Sequence, residues 1–160
     1  MRTTAYTVLH ISDLHFGKDH SFLSGRSTPP PGSHQGSLLD HVISDLRSRD
    51  VKLDAIVVSG DLTSTGAEAE FEQARDFLGG LNVLHRAAGT VPVLLVPGNH
   101  DVEWRGDGTT TRGSYRVFAS QMSGKPAVSG LQPLHLRVGD LFLLGLDSTQ
   151  TDSQTHGSIG

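Results

Sequence analysis

A chain of 160 residues has the length of a single domain and enough material to bury a core. With 36% apolar residues and 19 glycines it reads as a loop-rich α/β protein rather than a helical bundle. The absence of Cys excludes disulfides, thiolate metal sites and cysteine nucleophiles. A formal net charge of -4 with no basic run counts against a nucleic-acid partner, although bound cations would add local positive charge. No apolar run reaches bilayer-spanning length, and the first ten residues lack a secretory pattern. The expectation is a cytoplasmic protein with no membrane partner.

In chain order, residues 6–11 form a short apolar-rich run that breaks at Ser12-Asp13, which predicts a first strand buried on both faces. Residues 17–36, with Pro29-Pro30-Pro31-Gly32, predict a long loop. Residues 37–49 predict a helix capped by Ser37, with Leu38, Leu39, Val42, Ile43 and Leu46 on one face. A second strand is expected over 55–59. A helix is expected over 67–88, with a buried stripe of Phe71, Ala74, Phe77 and Leu78 and a break or bend at Gly79-Gly80. Residues 91–96 predict a third strand with Pro92 near its start.

Residues 103–113 read as loop and 114–122 as a short helix. Residues 134–138 and 141–146 read as a hairpin turning at Gly139-Asp140. The order strand–helix–strand–helix–strand predicts three parallel strands, whose carboxyl ends share one edge of the sheet.

Three polar clusters follow those strands: Asp13-Leu14-His15, Gly60-Asp61 and Gly98-Asn99-His100-Asp101. Carboxylate, imidazole and amide oxygen together suit divalent cations such as Mn, Fe or Zn. A carboxylate such as Asp61 has two oxygens and can bridge two ions, while Gly60 and Gly98 let the backbone turn sharply beside them. A cation pair polarises a phosphoryl oxygen and turns water into hydroxide at neutral pH. His100, beside Asn99 and followed by an Asp101 that could orient its ring, suits a general acid.

In this order, Asp13-x-His15, Gly60-Asp61 and Gly98-Asn99-His100-Asp101 resemble the first three motifs of the calcineurin-like metallophosphoesterases. The stretches Leu9-His10-Ile11-Ser12-Asp13-Leu14-His15-Phe16-Gly17 and Gly60-Asp61-Leu62-Thr63 are similar to the branch that includes class III cyclic-nucleotide phosphodiesterases. The Arg that the protein-phosphatase branch carries near the second motif is replaced here by Leu62-Thr63-Ser64-Thr65-Gly66. Leu143-Leu144-Gly145-Leu146-Asp147-Ser148 resembles the family strand that follows the third motif.

The resemblance implies α/β architecture, the N-terminal part of a four-layer α/β/β/α sandwich. It implies two divalent metal ions, a dinuclear centre with a bridging hydroxide, and hydrolysis of a phosphate-ester substrate, a diester ahead of a monoester. Asp13 and His15 would bind the first metal, Asp61 would bridge, and Asn99 would bind the second. His100 would protonate the leaving group with support from Asp101.

Two further family motifs, a lone His after a later strand and a Gly-His-x-His, have no counterpart in residues 1–160. His135 and His156 lack their context. The expectation is therefore a phosphoesterase domain truncated before its last two motifs. The missing C-terminal part, or further domains of a longer chain, would be its partner, and isolated turnover would be low.

Three rivals stand beside this reading. They are a nuclease of the same superfamily, a non-catalytic sensor or regulatory module that kept half the site, and an N-terminal effector domain of a larger protein. Among the other polar residues, His10 reads as a packed, hydrogen-bonded core histidine, and His20, His34 and His41 as solvent-exposed. Glu68, Glu70 and Glu72 read as a helix face near its positive end. Trp104 and Tyr115 could pack a lid or stack on a ring. Arg105 and Arg112 could meet a phosphate but more often are simply solvated.

Overall fold

The computed structural model describes residues 5–17, 37–104, 110–123 and 134–149. At its centre is a parallel sheet of three strands, β1 (Val8–Ile11), β2 (Ala55–Ser59) and β3 (Val93–Val96), in the order β1-β2-β3. The register runs through Leu9 opposite Ile56 and Ile56 opposite Val93. Parallel pairing requires crossovers, and these carry α1 (Leu38–Ser48) and α2 (Glu68–Gly80). α2 runs into a 3₁₀ turn over Leu81–Leu84.

Burial separates the three strands. β2 is central, and Ala55, Ile56 and Val58 are fully enclosed there. β1 was expected to be buried on both faces, but it lies at the sheet edge and exposes alternate residues, Val8 and His10. His10 is therefore not a core histidine. Its Nε2 meets the Ser59 hydroxyl at 2.7 Å on the exposed face. Ile56 has no exposed surface, so Ile56→Val should cost about 0.5–1.5 kcal/mol, read from the shift in urea midpoint at unchanged slope.

Ser37 starts α1 through a capping box: its hydroxyl accepts from the Asp40 N–H, and the Asp40 carboxylate accepts from the Ser37 N–H. Hydrogen bonds from Ser37 hold the Asp40 carboxyl below its ordinary pKa. The apolar face of α1 packs on the core but stays half-buried. α2 ends at Gly79-Gly80, its last two residues, where the break or bend was expected, and the helix does not continue to residue 88. Gly80 lies close to α1: a Cβ there would sit 2.2 Å from Leu39 Cδ2, so that side chain would have to move.

Phe71 of α2 contacts Phe118 of α3 (Gly113–Ser123) at 5.1 Å between ring centroids, and Phe77 contacts Phe16 at 5.5 Å. These rings build the core on the helical side of the sheet.

The segment expected as loop over 103–113 contains a small antiparallel pair, β4 (Glu103–Trp104) with β5 (Thr110–Thr111). Polar composition hid it, since two-residue strands carry no periodicity. β6 (Leu134–Val138) and β7 (Leu141–Gly145) form the expected hairpin. Its inner side approaches β3, where a Cβ on Gly145 would sit 2.6 Å from Val96 Cγ2. Its outer side leaves Phe142 and Leu144 exposed, with Leu146 following.

The predicted loop after Gly17 and the end of the tail lie outside the described residues, as do His20, His34, Arg105 and His156. Among the described residues, no helix is long and apolar enough to cross a membrane.

Candidate metal centre

The three strands end on one edge, and each releases its chain into a tight turn there. Asp13, His15 and Asp61 have left-handed backbone, with φ of 57°, 48° and 52°. For residues other than Gly this conformation costs on the order of 1 kcal/mol each and persists only where surrounding bonds over-determine it. Asp13 and His15 lie just past the end of β1, and the left-handed backbone at both positions orients their side chains.

Those bonds are visible. Asp13 N–H donates to Gly60 O at 3.1 Å, His15 N–H to Asp61 O at 3.0 Å, and Phe16 N–H to Leu62 O at 2.7 Å. In return, Ser64 N–H donates to Phe16 O and the Ser64 hydroxyl donates to His15 O, each at 2.9 Å. The first and second loops are thus zipped together, with Phe16 buried beneath them.

The second and third loops touch through glycine. A Cβ on Gly60, whose φ is 103°, would lie 2.8 Å from Gly98 Cα. A Cβ on Gly98 would lie 2.1 Å from Asp61 Oδ1 and 2.4 Å from Asp61 N. Asn99–Asp101 then form one 3₁₀ turn. Its His100 N–H donates to Asp61 Oδ1 at 3.0 Å.

This architecture brings together one ligand atom from each of Asp13, His15 and Asp61, all within 4.8 Å of one another. Asp13 is exposed, and His15 and Asp61 are half-buried. Two carboxylates and an imidazole converging at this range are a donor set that fits a divalent cation. The His100 ring packs edge-on against His15 at 4.7 Å between centroids. Asn99 is half-buried in the adjoining turn, and its carbonyl accepts from Trp104 Nε1–H at 2.9 Å.

Asp101 does not take the place expected for it. Its Oδ1 accepts from Thr63 N–H at 3.0 Å and lies 2.9 Å from the Thr63 hydroxyl, and its Oδ2 accepts from Gly98 N–H at 3.0 Å. The ring of His100 is held by the Ser64 carbonyl instead, 2.9 Å from Nδ1. A carbonyl only accepts, so Nδ1 carries the proton and Nε2 is left for other partners. Asp101 is a brace between loops, because the turn aims its side chain inward to 1% exposure while His100 faces solvent. Burial raises its pKa above the ordinary carboxylate value, against hydrogen bonds from Gly98, Thr63 and Leu62 that favour the ion.

The residues that sequence reasoning missed are Thr63, Ser64 and Glu70. Their hydrogen bonds give no periodic or motif signal beyond their position after Gly60-Asp61. Glu70 lies in the first turn of α2, at the helix's positive end as expected. It is buried, and its Oε2 accepts from Thr65 N–H and hydroxyl at 2.8 and 3.1 Å.

Arg112 is directed to Asp147, at 3.8 Å, and to the carbonyl of Thr149. Tyr115 is buried against Phe71, and desolvation pushes its pKa far up. His135 is exposed on β6 and stacks on Phe142 at 5.8 Å.

A parallel α/β sheet whose strand ends gather Asp, His and Asp around one point defines a protein with a candidate divalent-cation site. The chain belongs to the calcineurin-like phosphoesterase family, whose model matches residues 6–155. Over 92 residues it is 37% identical to the glycerophosphodiester phosphodiesterase GpdQ of Enterobacter lignolyticus (strain SCF1). That stretch is 58% of this chain and 28% of the relative, so the chain matches little more than a quarter of that protein.

Proposed function

We propose that this chain supplies the cation-binding and acid groups for metal-dependent hydrolysis of phosphate esters, with diesters as the preferred class. The convergence of Asp13, His15 and Asp61 at the sheet edge carries the reading. Family membership supports the reaction class, and the diester preference draws on the name of the relative.

Asp13, His15 and Asp61 would hold one divalent cation, and Asp61 with Asn99 would contribute to a second. When bound, such ions supply charge neutralisation for the phosphoryl oxygens and a hydroxide nucleophile at neutral pH. The protein's own part is positioning. The zipped first and second loops fix the spacing of the carboxylates, and the Asp61–His100 contact fixes the third loop against them. His100 Nδ1–H is anchored on Ser64 O, which leaves Nε2 as the atom able to carry and deliver a proton to a leaving-group oxygen.

The test begins with cation binding, because the family resemblance expects further ligands outside these residues. Calorimetric titration of the metal-free chain with Mn(II) should show at least one site, and EDTA should reverse it. Cleavage of bis(4-nitrophenyl) phosphate is then measured on the product of the uninterrupted reading frame. Turnover should require the cation and should exceed that of 4-nitrophenyl phosphate. A chain that binds no divalent cation, or a frame product whose turnover ignores EDTA, overturns the reading.

A further inference from the structure

We propose that Thr63 is a positioning residue for His100, the group that clamps the third loop onto the second and so sets the direction of the imidazole. The inference rests on the reading of His100 as the proton donor.

Two carboxylates cross the gap between these loops in opposite directions. Asp61, on the second loop, accepts the His100 N–H of the third. Asp101, on the third loop, accepts the Thr63 N–H of the second. Thr63 lies at the middle of this reciprocal clasp with no exposed surface. Its hydroxyl lies 3.0 Å from His100 O and 2.9 Å from Asp101 Oδ1, and its one proton serves either acceptor. The same oxygen accepts from Gly66 N–H at 3.2 Å.

Thr63 therefore reaches the backbone on both sides of His100: the His100 carbonyl directly, and the N–H of Gly98, which caps the turn, through Asp101. The next residue, Ser64, supplies the carbonyl that takes His100 Nδ1–H. One dipeptide thus fixes both the backbone and the ring of the acid. Asp13, His15 and Asp61 sit on the first two loops, whose zipper of main-chain bonds does not pass through the Thr63 hydroxyl. Loss of that hydroxyl should disorient His100 and spare the group formed by Asp13, His15 and Asp61.

The test is Thr63→Val, which keeps the shape and the N–H but removes the hydroxyl, with Thr63→Ser as the conservative rescue. In the metal-free wild-type chain at mildly alkaline pH, ¹⁵N spectra should show His100 as the Nδ1–H tautomer. Thr63→Val should move the signal toward the Nε2–H mixture of a free imidazole, and Thr63→Ser should restore it. Mn(II) affinity should fall by less than about 10-fold, the low end of what losing an outer partner of a metal site costs.

A folded Thr63→Val with an unchanged His100 signal overturns the proposal. So does a fall in affinity as large as that from loss of a ligand. Should Thr63→Val fail to fold, Thr63→Ala removes the same hydroxyl, and with it the contacts to His100 O and Asp101 Oδ1, and must give the same tautomer change, or the proposal fails. A wild-type chain that binds no Mn(II) would sink the functional reading instead, and the tautomer measurement would still decide the clasp.

Discussion

Asp61→Asn should abolish cation-induced stabilisation while leaving the metal-free fold intact. Asn is among the few residues that tolerate left-handed backbone, so the φ of 52° at this position is preserved. Its side-chain oxygen can still accept the His100 N–H that Asp61 Oδ1 now accepts. The loops therefore stay joined, and only the anionic ligand is lost.

In the wild-type chain, a cation present at 100 times its Kd adds about 2.7 kcal/mol of stability, which raises Tm by roughly 5–10 °C for a domain of this size. The variant should show no such rise. Its Mn(II) affinity should fall by more than about 100-fold, beyond the range that loss of an outer-shell partner produces. Without metal, the sign reverses or vanishes, because the substitution removes one of two carboxylates whose oxygens lie within 4.8 Å of each other and of His15. Scanning calorimetry with and without Mn(II) separates the two effects. A variant that keeps the metal-induced rise would exclude Asp61 as a ligand.

Gly98→Ala should damage fold and site together. The backbone of Gly98, at φ -99° and ψ 176°, is one that any residue adopts, so conformational freedom is not the reason for glycine here. The reason is distance. The new methyl group would meet Asp61 at Oδ1 (2.1 Å), N (2.4 Å) and Cγ (2.7 Å), and a main-chain nitrogen cannot swing away. Either the third loop lifts from the second, or the Asp61 carboxylate leaves its place among Asp13 and His15. We expect a loss of about 1–3 kcal/mol in stability, the usual range for overpacking, together with cation affinity as poor as that of Asp61→Asn.

Gly79→Ala is the control. It adds the same methyl group in the last turn of α2, where nothing lies within 4 Å, and should gain about 0.5–1 kcal/mol. Chemical denaturation of both variants should therefore move midpoints in opposite directions. A Gly98→Ala chain with wild-type midpoint and Mn(II) binding would show that the two loops do not meet as described.

How much of this was legible beforehand follows from the range of the forces involved. The runs 55–59 and 91–96 declare buried strands locally, since a continuous apolar stretch closed by a Gly within two residues can be read without knowing its neighbours. The parallel order of the three strands follows from the helices between them. Asp13, His15, Asp61, Asn99 and His100 could be chosen as a set because parallel strands end on a common edge, a matter of topology rather than of detail.

Edge effects were not legible. Nothing in the run 6–11 states that β1 pairs on one side only among the described residues, and so the sequence places His10 in a core that does not cover it. The two-residue strands β4 and β5 are equally silent, because their pairing is a contact between segments and not a property of either.

What the sequence by itself determined is the inventory: three strands, the loops that end them, and the acidic, imidazole and amide groups those loops carry. Only the tertiary structure decided which group serves which. It turned Asp101 away from His100 and gave the ring to Ser64, and it made Thr63 the fastening between loops. The physical reason is that hydrogen bonds between residues 36–38 positions apart depend on how closely two backbones approach. Here that approach is set by Gly60 against Gly98, a distance that no local pattern encodes.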